Sequence, residues 1–458
     1  MNQILDHVLG AARQLGASDV HLKSGLPPVF RIKGDLRTLR DTPPLTAEVI
    51  GTFAVNLMTD KQRAHFEEHH DADLSYGTAD GVRYRVNVFR QRGQTGMVMR
   101  LIPPDVPGFD KLNLPPAVQK LCEEERGLIL VTGITGSGKS TTLSAMIDHI
   151  NRARACHIIT VEDPIEYQLV GINQTQIQER IHLTFAAALR SILRQDPDVI
   201  LVGEIRDQET ARIAMQAAQT GHLVLSTLHT DDAPSSITRL IDIGIESYVI
   251  ASAVIGVVAQ RLMRRLCPNC RKQYTPPPDI LRMLGITEAE AATIRFFKAG
   301  GCEQCRHTGY RGRVGIYEVM RVTDKMRRLV TDRASEDAIG EAARSGGMAS
   351  LSDDALAKVK AGLTTPEELL RVVSEVQAAD TACSGCGATV GSDFIVCPTC
   401  GKRLSDSCPG CARAMEPGWT FCPYCARNTA QSPSKHIRNR KACGSMRNVT
   451  EFKKALPV

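Results

Sequence analysis

Four short apolar runs in the middle of the chain each end in a cluster of polar residues, and that repeated layout constrains the fold more than any other feature. The runs lead into GITGSGKST (133–141), TVEDPIEY (160–167), RQDPDVILVGEIRD (194–207) and TGHLVLSTLHTDDA (220–233). GLILVTG, HIITVED, DVILVGE and HLVLSTL are rich in β-branched residues and are separated by stretches with helical spacing. Buried parallel strands with crossover helices read this way. Residues 117–265 are therefore expected to form an α/β domain. In such a sheet ligands bind beyond the carboxyl ends of the strands, where the polar clusters fall.

The first cluster fits G-x-x-x-x-G-K-[ST] between a strand and a helix, the context that gives this pattern its meaning. Gly133, Gly136 and Gly138 let backbone N–H groups curl around phosphate oxygens, with Thr135, Ser137 and Thr141 in the same loop. The following helix N-terminus favours an anion. Lys139 is expected at the β- and γ-phosphates of ATP, and Ser140 as a ligand of Mg²⁺. In DPDVILVGEIRD, Gly203 stands where an acidic metal residue usually ends the run, and Glu204 follows. Glu204 either holds Mg²⁺ through water, orients the attacking water, or only pairs with Arg206. Glu162, in VEDPIEY, polarises the lytic water or is a solvated loop acid. His222 and His229 lie on one strand, and their odd spacing points them to opposite faces. Sensing of the γ-phosphate and a satisfied core histidine are the two readings for each.

Composition bounds the rest. The chain has 458 residues and a net charge of +6, much of it in the last stretch, KHIRNRKACGSMRNVTEFKK. The start reads as an amphipathic helix and lacks the regions of a signal peptide. Apolar stretches such as IASAVIGVVA (250–259) are too short to span a bilayer. A cytoplasmic protein without direct membrane insertion is expected. Of fifteen cysteines, twelve form six C-x-x-C pairs. In a reducing compartment these read as Zn²⁺ ligands in three quartets. The quartets are Cys267, Cys270, Cys302 and Cys305; Cys383, Cys386, Cys397 and Cys400; and Cys408, Cys411, Cys422 and Cys425. The last two have equal ten-residue gaps, the texture of a tandem zinc ribbon. The ribbon carries little basic charge and few aromatics, which argues against nucleic acid as a partner.

The expected organisation follows. Residues 1–105 form a small α+β domain and 106–116 a proline-rich linker. The α/β domain at 117–265 leads to a zinc-binding subdomain at 266–322 and helices at 323–376. The tandem ribbon at 383–425 is followed by a basic tail at 426–458 that its composition marks as disordered.

The ordered motifs resemble those of the type II secretion and type IV pilus assembly ATPases, the secretion-ATPase superfamily, over roughly residues 1–376. The four clusters look like that family's Walker A, aspartate box, atypical Walker B and histidine box. The resemblance implies a RecA-like P-loop motor domain behind a PAS-like N-terminal domain, assembled as a homo-hexamer that hydrolyses ATP. It also implies that N-terminal-domain arginines reach the phosphates, and the matching positions are Arg83, Arg85 and Arg100. A guanidinium from another domain would couple phosphoryl-transfer chemistry to domain closure. LCPNC and GGCEQCRHTGYRGRVGIYEVM resemble the assembly branch, whereas ASDVHLKSGLPPVFRIKGDLRTL resembles the retraction branch. The expectation is an assembly motor acting on an inner-membrane platform protein. A retraction motor and a DNA-transfer ATPase are the alternatives.

Overall fold

The computed structural model describes residues 3–377, except 33, 39–41, 104 and 179–180. Beyond 377 it describes only 381–382, 389–390, 400, 402, 406–407 and 414–415. The N-terminal part is a six-stranded antiparallel sheet with helices on one face. Its strands are β1 (Ala17–Lys23), β2 (Val29–Ile32), β3 (Asp35–Thr38), β4 (Asp71–Gly77), β5 (Arg83–Gln91) and β6 (Gln94–Ile102), in spatial order β3-β2-β1-β6-β5-β4. Alternation along β5 buries Tyr84, Val86 and Val88. They pack with Leu5 and Leu9 of α1 (Gln3–Gln14), Phe53 of α2 (Ala47–Leu57) and Phe66 of α3 (Asp60–His69). The opposite face carries the polar partners of that alternation. Asp19, Arg100 and Arg85 stand directly across from one another on β1, β6 and β5.

Residues 103–116 are more than a tether. They contain α4 (Phe109–Leu112), and Val106, Phe109 and Leu114 pack against the next core. Phe109 stacks on His149 at 4.8 Å, and the Tyr317 hydroxyl donates to the Leu112 carbonyl (3.1 Å). Apolar residues among the prolines account for this docking. α5 (Pro116–Cys122) follows, with a proline pre-set for its first turn.

The central sheet has seven strands. They are β7 (Gly127–Thr132), β8 (Ile158–Glu162), β9 (Asn173–Gln176), β10 (Val199–Val202), β11 (Leu223–Leu228), β12 (Val254–Leu266) and, completing the sheet, a later edge strand at Tyr310–Arg321. Two short strands, β13 (Lys272–Gln273) and β14 (Phe297–Lys298), precede that edge strand, which is β15. The order is β15-β12-β7-β11-β10-β8-β9, parallel throughout except for the β12–β15 pair. Every residue of β7, β10 and β11 is buried, as their continuous apolar runs require. α6 (Lys139–Ala153), α7 (Phe185–Ile192) and α8 (Gln208–Gln219) cover the sheet, with one core on each face.

β12 runs directly into Cys267, and Cys302 and Cys305 lie just before β15. A further core joins Met263, Ile316, Leu281 and Phe296 to Val359 and Leu369 from the C-terminal helices α15 (Leu351–Lys360) and α16 (Pro366–Gln377), numbered after the helices between β11 and α15. Glu368 of α16 is 1% exposed and accepts from Arg264 (Nε, 2.8 Å) and Arg371 (Nη2, 2.7 Å). Arg306, the residue after Cys305, donates to the Ile32 carbonyl (2.8 Å) and pairs with Asp35, joining the loop that carries Cys302 and Cys305 to the β2–β3 hairpin.

Residues 375–458 form a separate unit. Its described residues include two short antiparallel pairs, Thr381–Ala382 with Thr389–Val390 and Asp406–Ser407 with Ala414–Met415. In sequence they bracket the first C-x-x-C of each ribbon quartet. Cys383, Cys386, Cys397, Cys408, Cys411, Cys422 and Cys425, and the basic tail, lie outside the described residues. Cys400 is described and exposed. Among the described residues no helix is long and apolar enough to cross a membrane.

Candidate active site

A cavity of about 490 Å³ opens at the carboxyl ends of β7, β8, β10 and β11. Thr135, Gly136, Gly138, Lys139, Ser140 and Thr141 line one wall; Glu162, Asp163, Glu166, Glu204 and His229 line the others. Four sequence-distant clusters meet here because parallel strands place all their carboxyl ends on one edge. α6 begins at Lys139 with no side-chain cap, and Gly138 before it is in the left-handed region (φ 92°). The uncapped N–H groups at that end suit an anion.

Lys139 is 9% exposed, and its ammonium donates to the Gly133 carbonyl (2.7 Å) and the Ile134 carbonyl (3.1 Å). Burial lowers its pKa, with Glu204 acting in the opposite direction. Glu204 shares its carboxylate between Arg206 (2.5 Å) and His229 (3.7 Å). The Arg206 pair weighed from the sequence is thus present, and it does not remove Glu204 from the cavity. Burial, then the charge of Lys139, lower the pKa of His229, with Glu204 acting in the opposite direction.

Glu162 ends β8, and burial raises its pKa. Thr160 Oγ1 (2.6 Å) and Gln174 Nε2 (3.0 Å) donate to its carboxylate. The same Gln174 also donates to the Tyr167 carbonyl (2.9 Å) and accepts from the Leu169 N–H (2.8 Å), so β9 fixes the loop that carries Glu162. A carboxylate whose pKa is raised by burial at the wall of a cavity has the chemistry of a general base.

Other expected residues lie elsewhere. His222 and His229 are not on one strand: β11 spans only Leu223–Leu228, and they flank it. His222 sits at the amino end, with its Nδ1 at 2.9 Å from the Ala217 carbonyl. Seven residues of extended chain, about 23 Å, separate it from His229. Within this chain His222 is not brought to the cavity. Arg83, Arg85 and Arg100 are also outside it. They stand on the sheet face away from the helices, where Arg100 Nε donates to buried Asp19 (2.7 Å) and Arg83 donates to Ser75 (3.0 Å). Gly133 and Ser137 shape the loop without lining the cavity. Sequence reading assigned no role to Arg313, whose Nη1 lies 3.5 Å from the Gly136 carbonyl, or to Gln174 and Gln260. Arg313 and Gln260 come from strands remote in sequence and Gln174 from β9, just beyond the loop after Glu162, and no local pattern marks any of them.

The first cysteine quartet is assembled. Sulfur–sulfur distances are 3.9 Å for Cys267–Cys302, 3.6 Å for Cys270–Cys305 and 3.7 Å for Cys302–Cys305. A tetrahedron with Zn–S bonds of about 2.3 Å has edges of about 3.8 Å, so the quartet fits Zn²⁺. Backbone N–H groups of Gly301, Cys302 and Gly309 donate to these sulfurs at 3.2 Å each, the outer contacts that stabilise thiolates.

Residues 1–371 match the model of the family described as type II/IV secretion system protein, and 383–426 match the double zinc ribbon. The chain is 42% identical over 383 residues to type II secretion system protein E of Pseudomonas aeruginosa, covering 81% of this chain and 75% of that protein. It is 41% identical over 365 residues to type IV pilus assembly ATPase PilB of Thermus thermophilus, covering 77% of this chain and 41% of the other. Among solved structures, the pilus retraction motor PilT with bound ADP superposes with a TM-score of 0.65 at 36% identity, covering 80% of this chain and 96% of that one.

Proposed function

The chain belongs to the type II/IV secretion system protein family, whose members are motor ATPases of secretion and pilus machines, and on that premise we propose that it is a hexameric assembly motor. Its ATP hydrolysis would drive building of a type IV pilus or type II secretion pseudopilus through an inner-membrane platform protein. The observation that carries this reading is the meeting of Lys139, Ser140, Glu162, Glu204 and His229 around one cavity. The loop amides from Thr135 to Thr141 would hold the phosphates, and Ser140, with Glu204 through water, would hold Mg²⁺. Bound Mg²⁺ supplies charge neutralisation at the phosphates. Glu162 or Glu204 would orient the lytic water, and His229 would contact the γ-phosphate.

Arg83, Arg85 and Arg100 do not line the cavity in the present conformation. We place their action in a closed ring, where movement of an N-terminal domain brings guanidinium groups to the phosphates. Hydrolysis and release would reopen the site, and this cycle would move the platform protein. The cysteine quartet, read as a Zn²⁺ site, favours assembly. The likeness to a retraction motor favours the second reading, retraction. The motor would act from the cytoplasm, recruited to the inner membrane by its partner.

The test is steady-state ATP hydrolysis by the full chain with Mg²⁺. Lys139→Ala should lose turnover by a barrier of about 3–4 kcal/mol, the scale of one electrostatic element of this kind. A folded Lys139→Ala protein with wild-type turnover would refute the assignment. Stimulation by the cytoplasmic part of a platform protein is expected. Stimulation by DNA, falling steeply with salt, would favour a DNA-transfer motor instead.

A further inference from the structure

β12 outlasts β7. The two strands pair up to Ala259 and Thr132, after which β7 gives way to the phosphate loop and β12 continues beside β15. The first β12 residue past that point is Gln260, 3% exposed. Its Nε2 donates to the Ser137 carbonyl (2.9 Å), and its Oε1 accepts from the Thr142 hydroxyl in the first turn of α6 (2.8 Å). The loop backbone packs directly on this residue. A Cβ at Gly133 would sit 2.3 Å from the Gln260 carbonyl oxygen, and one at Gly138 would sit 2.9 Å from Nε2.

We infer that Gln260 is a positioning residue of the phosphate-binding loop, fixing the peptide between Ser137 and Gly138. In a trans peptide the carbonyl and the next N–H point in opposite directions. Holding the Ser137 carbonyl against Gln260 therefore turns the Gly138 N–H away from β12. Gly138 lines the cavity, so its N–H is available there to a phosphate oxygen. Gly138 has positive φ and no Cβ, and that freedom lets the peptide flip once its carbonyl is released. A flipped peptide presents a carbonyl oxygen to an anion. The orientation of the amide is settled by its partners, because the Ser137 carbonyl can only accept. The next residue, Arg261, alternates to the other face of β12 and pairs with Asp231 (2.7 Å) in the histidine-box loop. Adjacent residues of one strand thus brace both loops that flank the cavity.

This inference rests on the cavity being the nucleotide site, which wild-type binding and its loss in Lys139→Ala test separately. The experiment titrates the full-length protein with a fluorescent ADP analogue and measures KM and kcat for ATP. Gln260→Met is nearly isosteric and removes both hydrogen bonds. It should weaken nucleotide binding about tenfold and raise KM more than it lowers kcat. Thr142→Val should weaken binding about two- to threefold, with Thr142→Ser close to wild type. The double variant Gln260→Met/Thr142→Val should match Gln260→Met alone, because Thr142 acts through Gln260. A group that only fills space would be replaced by methionine without loss of affinity. Folded Gln260→Met that binds nucleotide within twofold of wild type overturns the inference. If Gln260→Met does not fold, Thr142→Val decides: weakened binding restored by Thr142→Ser supports the inference, and wild-type affinity overturns it.

Discussion

Removing the first cysteine quartet should unfold the segment between its two knuckles and leave the nucleotide core standing. The perturbation is Cys302→Ser/Cys305→Ser. Residues 271–301 contribute Pro276, Leu281, Ile286 and Phe296 as buried apolar side chains, the last three to a core they share with β12, β15 and the C-terminal helices. That is too little to fold a segment of this length by itself. The four sulfurs, 3.6–3.9 Å apart in three of their pairs, bring its two ends together. A structural Zn²⁺ site is worth about 10–16 kcal/mol at pH 7 in small zinc-finger peptides. The whole stability of a domain is about 5–15 kcal/mol. Losing the site should therefore open the segment entirely and not merely loosen it. The cores on the two faces of the central sheet draw no residue from 271–301, so they should persist. The assay combines metal stoichiometry by plasma mass spectrometry with limited trypsin digestion. The three quartets predict three Zn²⁺ per chain, falling to two in the variant. New cleavage should appear at Arg271, Lys272, Arg282, Arg295 and Lys298. The reasoning is refuted if the variant still holds three Zn²⁺, or if it loses one while the segment keeps its wild-type resistance to trypsin.

Two further outcomes follow from the geometry. Glu204→Gln should bind ATP and Mg²⁺ but hydrolyse about 10²–10⁴-fold more slowly, the usual contribution of a positioned acid–base group; normal turnover in a single-turnover assay would move the chemistry to Glu162. Burial would raise the Glu368 carboxyl, but the pairs with Arg371 and Arg264 outweigh it and bring the group to about 2 from 4.5. Because the folded value is the lower one, its stabilisation is present above about pH 4.5 and is lost as pH falls towards 2. The two arginines are half exposed, so solvent screening limits the effect to about 1 kcal/mol. Urea unfolding should show that deficit for Glu368→Gln at pH 7.5 and a smaller one at pH 3.5, and a gap that does not change with pH would sink the assignment.

The parts of this molecule that could be read from the sequence are those whose signal is local. A fully buried parallel strand must be a continuous apolar run, so β7, β10 and β11 are visible one at a time. The phosphate loop is contiguous, and a C-x-x-C knuckle fits in four residues. The bracing of these parts is non-local. Gln260 meets Ser137 across 123 residues, and Arg313 meets Gly136 across 177. Neither has a spacing that a one-dimensional pattern could carry. The histidine reading failed for a related reason. Treating HLVLSTLHT as one regular strand makes facing the question, whereas β11 stops short of both histidines and their difference is which end of the sheet they occupy. The N-terminal arginines fall between these cases. Only the resemblance singled them out, and in the structure the alternation of β5 and β6 puts Arg83, Arg85 and Arg100 on the face opposite the helices. Buried Asp19 accepts from Arg100 Nε and holds that guanidinium along the exposed face of the sheet, a contact between strands 81 residues apart that no local pattern marks.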